Sequence, residues 1–229
     1  MTHKRELAWD GCINVRDLGG LDTEDGRMTR WGAVVRSDHP SKLSAAGWSA
    51  LYAHGIRTII ALRTDGIDEE QPDTALRPAD LTTVQVAVED FTDTDFVRQW
   101  VDTALWCTPL YYRDALKRWP QRHAAAVAAV ANAQPGGVLI HCRRGHDRTG
   151  IITLLLLALI GVAPAKIAAD YELSVDPERD QLLRAANTSA SEVIRDTLAR
   201  LDVTSYLRTA GLSHDELNIV RTRLLEPSQ

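Results

Sequence analysis

The sequence feature that most constrains the fold is an apolar strand, a glycine-containing loop and an apolar helix in direct succession. Residues 138–141 follow a Gly-Gly turn and predict a short buried strand, and residues 151–162 predict a buried helix. A loop in that position directs successive backbone N–H groups, together with the positive end of the helix, at one small volume. The segment 142–150 therefore predicts an anion-binding site.

The rest of the chain predicts strands that alternate with helices. Strands are expected at 31–36, 56–62 and 81–88, and helices at 44–54, 93–106 and 110–133, the last kinked by Pro120. Capping boxes begin at Ser189 and Ser213, so the end of the chain is helical. This order predicts an α/β fold in one domain over 1–229. The catalytic core is expected at about 12–175 and a helical C-terminal part at about 176–229. From Thr188 onward we expect the helices to form an appendage.

Charge and composition narrow the partners and the compartment. The net charge of −5 argues against a nucleic-acid partner, and the most apolar run, 151–162, is about half of the ~20 residues that cross a bilayer. We expect no transmembrane segment and no secretory signal. Three cysteines without a paired spacing fit a reducing compartment, so we expect a cytoplasmic protein. The histidines show no ligand spacing, so we expect neither a metal nor another cofactor.

Within the loop, a cysteine and an arginine stand six residues apart. A helix N-terminus and nearby cations favour the thiolate form of Cys142, which is the nucleophilic form. Arg148 offers a planar fork to two phosphoryl oxygens. The glycines Gly145 and Gly150 allow the backbone to curl and approach a ligand closely. This pattern predicts phosphoryl transfer through a phosphocysteine, although most cysteines that follow a strand are simply buried.

The segment resembles the Cys-x5-Arg signature of protein tyrosine phosphatases. The Gly-x-Asp-Arg-Thr-Gly ending is similar to the atypical bacterial tyrosine and phosphoinositide phosphatases and to myotubularin-type lipid phosphatases. The resemblance extends to 14–20, 35–37, 60–64 and 170–174. It implies a tyrosine-phosphatase-like central mixed sheet flanked by helices, with dual specificity or phosphoinositide activity as options.

Two residues depart from the family pattern. His146 stands where the family often has lysine. Affinity for multiply phosphorylated ligands is therefore expected to be weaker and to change near pH ~6.5, where histidine titrates. Arg143 and Arg144 are expected to replace part of the missing positive charge. Ala61 stands where the family often has aspartate, so no general acid is available there.

The general acid is the least determined part of the prediction. Asp147 is the first candidate because it lies inside the loop. Arg148 is expected to hold the pKa of Asp147 down, which counts against a role as an acid. Alternatively, Asp147 only orients the loop. Acids in the stretch 90–95 are second candidates, or ordinary helix caps. Trp119-Pro120 lacks the aspartate of a catalytic Trp-Pro-Asp loop and is interpreted as structural.

Further residues are assigned with an alternative beside each. His141 fixes the loop geometry or is a satisfied core histidine, and Thr149 donates to Cys142 or caps the helix. Arg16, Asp17 and Arg63 are expected to line the pocket, or else to form surface ion pairs. The predicted substrate-binding residues are Arg143, Arg144, Gly145, His146, Thr149, Arg63, Arg16 and Asp17, supported by His141 and Gly150.

Three functions remain open from the sequence. The first is an active phosphatase on phosphotyrosine, phosphoserine or phosphothreonine in proteins, or on phosphoinositides. The second is a phosphate- or phosphoinositide-binding module with weak turnover. The third is a rhodanese-like thiol enzyme. The physiological substrate and the oligomeric state are not predicted, nor is protection of Cys142 by Cys12 or Cys107 through a disulfide.

Overall fold

A computed structural model describes residues 4–67 and 76–227 of the chain. Its centre is a five-stranded sheet in the order β1-β2-β5-β3-β4. The strands are β1 (Arg16–Asp17), β2 (Val34–Ser37), β3 (Ile56–Asp65), β4 (Thr82–Asp90) and β5 (Gly137–His141). Only β1 runs antiparallel to its neighbour, and the other three pairings are parallel. The predicted α/β class with a mixed central sheet is confirmed.

The parallel pairing brings three strand ends to one edge of the sheet. Register alignment pairs His141 at the end of β5 with Ser37 of β2 and with Ala61 of β3. Every residue of β5 is buried, as expected for a central strand covered on both faces. Side chains that follow these strands therefore meet at the carboxyl edge, where ligand sites of α/β proteins lie.

Helices cover both faces of the sheet. They are α1 (Ala45–Ala53), α2 (Thr94–Phe96), α3 (Tyr112–Arg118), α4 (Pro120–Ala131), α5 (Asp147–Leu159), α6 (Pro164–Glu172), α7 (Pro177–Ala185), α8 (Ala190–Ala199), α9 (Val203–Thr209) and α10 (His214–Leu224). Ser44 caps α1, and both predicted capping boxes are present, at Ser189 and Ser213. No helix within residues 4–67 and 76–227 is long and apolar enough to cross a bilayer.

The predicted helix over 93–106 is wrong. The chain forms the short α2, a π-helical turn (Val97–Val101) and a 3-10 turn (Leu105–Cys107), with Ala104 in the left-handed region at φ 60°. The break allows the indole of Trp106 to donate to Glu89 at 3.1 Å. Tertiary contacts thus override a local preference for helix. The break at Pro120 is confirmed, because α3 ends at Arg118 and α4 begins at Pro120.

The C-terminal helices are integrated into the main core. Ile194, Leu207 and Leu217 belong to the same buried cluster as the apolar face of α5 and the strand residue Ile140. Helix α8 packs against α6, and α10 packs against α4. The expectation of an appendage from Thr188 onward is therefore wrong, because these helices bury apolar surface that the sheet and α5 would otherwise expose.

Candidate active site

The loop that carries the cysteine joins β5 to α5. Strand β5 ends at His141, and α5 begins at Asp147, four residues earlier than the apolar run at Ile151 indicated. Arg148 therefore lies in the first turn of the helix. The loop thus connects the central strand of the sheet to the positive end of a helix of thirteen residues.

The backbone carbonyls of this loop are anchored from outside it. Each of four consecutive carbonyls, those of residues 142–145, accepts a hydrogen bond from a neighbouring group. The pairs are His141 Nδ1 with Cys142 O at 3.2 Å, His39 N with Arg143 O at 3.3 Å, Asn14 Nδ2 with Arg144 O at 2.9 Å, and Arg36 Nη2 with Gly145 O at 2.8 Å. In a trans peptide the C=O of one residue and the N–H of the next point in opposite directions. Anchoring the carbonyls therefore fixes the direction of the N–H groups of residues 143–146.

Behind the loop lies a buried polar group that we call the rear cluster, consisting of Arg5, Asn14, Arg16, Arg36, Asp170 and Ser174. Arg36 Nη1 donates to Asp170 Oδ2 at 2.6 Å, and Arg5 also pairs with that carboxylate. Burial opposes ionisation of Asp170, but Arg36, Arg16 and Arg5 hold its pKa below the ordinary value. The stretches 14–20, 35–37 and 170–174 each contribute residues to this brace.

The structure corrects the placement of Arg16 and Asp17. Arg16 is buried in the rear cluster, where Nη2 donates to Ser174 Oγ at 2.8 Å, and burial beside Arg36 lowers its pKa to about 10. Asp17 is fully buried and accepts from the backbone of Gly32 at 2.8 Å. Neither lines the pocket, and neither is a surface ion pair, because both stabilise the packing of the N-terminal segment.

Glycine is required at positions 145 and 150 of the motif for two different structural reasons. Gly145 adopts φ +70°, and a Cβ there would lie 2.4 Å from Ser37 O, so the loop turns tightly against the end of β2. A Cβ on Gly150 would lie 2.3 Å from the hydroxyl of Tyr112 and 3.0 Å from the ring of Tyr171. Gly150 therefore permits helix packing rather than a close approach to a ligand, which corrects that expectation.

An open pocket of about 540 Å³ lies in front of the loop, and we call it the cysteine pocket. Four residues of the predicted motif lie on its lining, namely Cys142, Arg143, Arg144 and Arg148. They are joined there by Arg63 from β3 and by His141 from the end of β5. Its described lining consists of His39, Ser41, Lys42, Leu62, Arg63, Ile67, His141, Cys142, Arg143, Arg144 and Arg148. The predicted residues Gly145, His146, Asp147, Thr149 and Gly150 lie in the loop and helix behind this lining.

Arg148 is held by groups that the sequence reasoning missed. Its Nη1 donates to Leu62 O at 3.3 Å, and its guanidinium lies 5.8 Å from the centre of the Trp106 ring. Nearby, the fully buried Glu89 accepts hydrogen bonds from Thr64, Trp106 and Tyr111 at 3.0, 3.1 and 2.7 Å. Burial raises the pKa of Glu89, and the positive charge of Arg148 opposes that rise. A glutamate at the end of a strand was the only sequence signal for this position.

His141 is a neutral support for the loop. It is buried, and its ring lies 4.8 Å from that of His39 in an edge-to-face contact. Burial, followed by the neighbouring His39, lowers the pKa of His141 to about 3. Its hydrogen bond to Cys142 O fits the loop-geometry interpretation rather than a charged partner for a thiolate.

His146 does not replace a lysine in the pocket. It is buried behind the lining, with Nδ1 3.5 Å from Asp176 Oδ2, and Asp176 pairs with Arg144 at 2.7 Å. Burial and the charge of Arg144 lower the pKa of His146 to about 4. The imidazole is therefore neutral near pH ~6.5, which argues against the expected change of affinity at that pH.

Asp147 is a half-buried carboxyl whose Oδ1 accepts from Tyr171 Oη at 3.1 Å. Burial raises its pKa to about 7, with Glu89 adding to the rise, while Tyr171, Arg179 and Arg144 oppose it. The expectation that Arg148 holds this pKa down is wrong, because desolvation outweighs the attraction of the neighbouring groups. A carboxyl with a pKa near neutrality can both donate and accept a proton.

Other candidates have structural roles. Asp93 caps α2 and pairs with Arg118, and Asp90 pairs with Arg122, so both are ordinary caps and ion pairs outside the pocket lining. Thr149 is fully buried, and its hydroxyl bonds to no described residue, so neither contact predicted for it is seen. Trp119 packs in the core against Phe96, as a structural residue.

The thiols of Cys12 and Cys107 differ from a reactive cysteine in their protonation. Burial, with Asp38 adding to the effect, raises the pKa of Cys12 to about 12, and burial also raises the pKa of Cys107. Both thiols are therefore poor nucleophiles near neutrality. Among the described residues, no group of three or more His, Cys, Asp or Glu side chains is placed to hold a metal ion.

Comparisons with known proteins agree with this geometry. A family model described as the tyrosine phosphatase family matches residues 7–226. A protein from Cupriavidus necator, named as a candidate tyrosine-protein phosphatase, is 33% identical over 173 residues, 73% of this chain and 62% of its own length. A tyrosine-protein phosphatase from Nostoc commune is 31% identical over 147 residues, 62% of this chain and 48% of its own length.

A third relative is matched over nearly its whole length. The triple specificity protein phosphatase PtpB of Mycobacterium tuberculosis is 28% identical over 283 aligned positions, covering 96% of this chain and 99% of the relative. This chain thus spans less than two thirds of the first two relatives and almost all of the third. The family match extends from the rear cluster through the loop to α10. This chain belongs to the tyrosine phosphatase family.

Proposed function

We propose that this protein is a cysteine-dependent phosphatase that hydrolyses phosphomonoesters through a phosphocysteine intermediate. The observation that carries the proposal is that Cys142 and Arg148, six residues apart in sequence, line the same pocket in front of a loop whose carbonyls are anchored from behind. Phosphoryl transfer needs mainly positioning and stabilisation of charge, and this loop supplies both.

In the first step, the Cys142 thiolate attacks phosphorus, and the bond from phosphorus to the leaving oxygen breaks. The guanidinium of Arg148 and the loop N–H groups hold the non-bridging oxygens, on which negative charge is concentrated. A proton passes from the carboxyl of Asp147 to the leaving oxygen. In the second step, water attacks phosphorus, Asp147 takes the proton of that water, and the phosphorus–sulfur bond breaks to return the thiolate and free phosphate.

Asp147 is assigned as the acid and base because of its pKa of about 7, which leaves both protonation states populated near neutrality. The charge of Arg144, which lines the pocket, acts on the same carboxyl. The hydrogen bond from Tyr171 fixes the carboxyl in place without removing its capacity to release a proton.

The substrates that we propose are phosphorylated proteins, with phosphotyrosine first and phosphoserine or phosphothreonine next, and phosphoinositides as a further class. The first choice follows from the family, and the wider range follows the name of the Mycobacterium relative, a triple specificity phosphatase. Lys42, Arg63 and Arg143 on the pocket lining suit any of these anions. A cytoplasmic location stays a prediction.

The experiment compares wild type with Cys142→Ser on p-nitrophenyl phosphate, then on a panel of phosphopeptides and phosphoinositides. Phosphate release by the wild type alone supports the proposal, and the panel ranks the substrate classes. Phosphate binding without turnover by the wild type selects a binding module. Transfer of sulfur from thiosulfate to cyanide selects a rhodanese-like thiol enzyme. Either of these two results overturns the proposal.

A further inference from the structure

Three exposed aliphatic side chains lie on or near the edge of the cysteine pocket. Ile13 is 92% exposed and Val175 is 76% exposed, and Ile67 is also exposed. Ile67 is part of the pocket lining. Single exposed aliphatic residues are normal on a protein surface, but several close to one pocket mark a contact surface.

The chain neighbours of Ile13 and Val175 are bonded to one loop arginine and to each other. Asn14, next to Ile13, donates from Nδ2 to Arg144 O at 2.9 Å and accepts at Oδ1 from Ser174 Oγ at 3.2 Å. Ser174 precedes Val175, and Asp176 follows it and pairs with Arg144 Nη2 at 2.7 Å. Ile13 and Val175 therefore lie next in the chain to residues that contact Arg144 at this edge of the pocket.

Cations are interleaved with these aliphatic side chains. Arg143 and Arg144 are exposed on the pocket lining. On the other side of Ile13, the backbone N–H of Ile13 donates to Asp38 Oδ1, and Asp38 Oδ2 accepts from Lys42 Nζ at 3.0 Å. This face thus carries exposed apolar side chains beside Arg143, Arg144 and Lys42, the last two paired with Asp176 and Asp38, in a chain whose net charge is −5.

We infer that this face docks on the surface of an anionic lipid bilayer. Aliphatic side chains that insert beside basic side chains are the pattern of interfacial membrane binding. The centre of a protein interface is instead rich in aromatic anchors and poor in charge, and the described lining of the cysteine pocket includes His39 and His141 but no Trp, Tyr or Phe. Docking would turn the cysteine pocket toward the lipid headgroups. If the protein is a phosphatase, as proposed above, this orientation favours a phosphorylated headgroup as its substrate.

The test is co-sedimentation of the full chain with vesicles of phosphatidylcholine alone or mixed with phosphatidylserine. The wild type is expected to bind the anionic vesicles, and added salt should weaken the binding. The double variant Ile13→Ser, Val175→Ser should lose at least roughly tenfold in apparent partition coefficient, because two aliphatic side chains no longer insert.

The matched control is Ile219→Ser, which removes a 45% exposed isoleucine from α10, outside the pocket lining. This variant should bind vesicles like the wild type. All three proteins should hydrolyse p-nitrophenyl phosphate at the same rate, because none of the substituted residues lines the cysteine pocket.

Two results overturn the inference and leave the proposed function intact. One is turnover of p-nitrophenyl phosphate by a wild type that does not bind anionic vesicles, which would assign these aliphatic side chains to a protein substrate. The other is equal vesicle binding by the double variant and the wild type. Absence of turnover in a wild type that binds vesicles would instead reject the proposed function alone.

Discussion

The two sides of the loop at 142–146 differ in what holds them. On the pocket side, Cys142 and Arg143 meet an open volume of about 540 Å³. On the rear side, Asn14 and Arg36 donate to loop carbonyls from a buried cluster built around Asp170. Reactive side chains thus lie on the open side of the loop, and the groups that fix its backbone lie on the closed side.

This difference predicts two classes of variant. Changes on the pocket side should reduce activity more than stability, since these side chains supply none of the hydrogen bonds from the rear cluster to the loop carbonyls. Changes on the rear side should weaken both stability and phosphate binding, since the same hydrogen bonds serve both. Four substitutions test this division, and the first is expected to have the greatest effect.

Replacement of Arg148 by lysine should have the largest effect. A single ammonium cannot provide the planar fork of the guanidinium, so kcat on p-nitrophenyl phosphate should fall on the order of 10²–10³-fold. The midpoint of urea unfolding should change little, because lysine keeps a positive charge beside the buried Glu89. A large loss of stability with intact kcat would contradict the assignment.

Asp147→Asn should reduce kcat on a phosphopeptide about 10²-fold, and less on p-nitrophenyl phosphate, whose leaving group needs little protonation. Because the pKa of Asp147 is raised to about 7, its protonated form is lost as the pH rises through that value. The wild-type kcat should therefore fall above about pH 7, and the variant should lack this limb.

The matched control for that variant is Asp93→Asn, which changes a cap of α2 outside the pocket and should leave the pH profile unaltered. Equal small losses from both substitutions would remove Asp147 from its assigned role.

Asn14→Ala tests the rear side, where the Asn14 side chain donates to Arg144 O and accepts from Arg16 Nη1 and Ser174 Oγ. Each buried group left unsatisfied costs about 1–3 kcal/mol of the free energy of unfolding. The loop should also loosen, so Kd for inorganic phosphate should rise several-fold, roughly 3–10-fold. Isothermal titration with phosphate measures the second effect.

For comparison, Asn132→Ala removes an exposed contact to Glu216 of 3.5 Å, far from the loop. It should change neither the unfolding midpoint nor phosphate affinity. Reduced stability of Asn14→Ala with unchanged phosphate affinity would show that the rear side supports only the fold.

His146→Gln should have the smallest effect. Since burial lowers the pKa of His146 to about 4, the imidazole is neutral between pH 6 and pH 8. KM for a phosphopeptide should follow the same pH dependence in the variant and the wild type, measured over that range. A change in KM near pH ~6.5 that is lost in the variant would restore a charged role for this residue.

Most of the fold and the centre of the site were predictable from the sequence. The buried strand β5, the loop and the helix α5 combine a β-branched run, a glycine turn and an apolar run, each of which is a strong local signal. Because that signal is local, it also located Cys142 and Arg148 correctly on one pocket.

The errors share one cause, which is that burial depends on contacts distant in sequence. Arg16 and Asp17 read as polar pocket residues, yet the N-terminal segment folds behind the loop and buries them. The pKa values of Asp147 and His146 likewise moved against expectation, because desolvation by the surrounding helices outweighs the neighbouring charges. Glu89 was missed because nothing near it in sequence indicates that Arg148 lies beside it.

The central proposal is that the sulfur of Cys142 becomes covalently phosphorylated in front of the anchored loop, and trapping that intermediate tests it most directly. Wild type is mixed with a radiolabelled phosphopeptide, quenched rapidly with denaturant and digested, and the labelled peptide is identified by mass spectrometry. The predicted result is one phosphoryl group on the peptide that contains Cys142, and no label in Cys142→Ala. Label on a different residue, or phosphate release by Cys142→Ala at the wild-type rate, would contradict the mechanism.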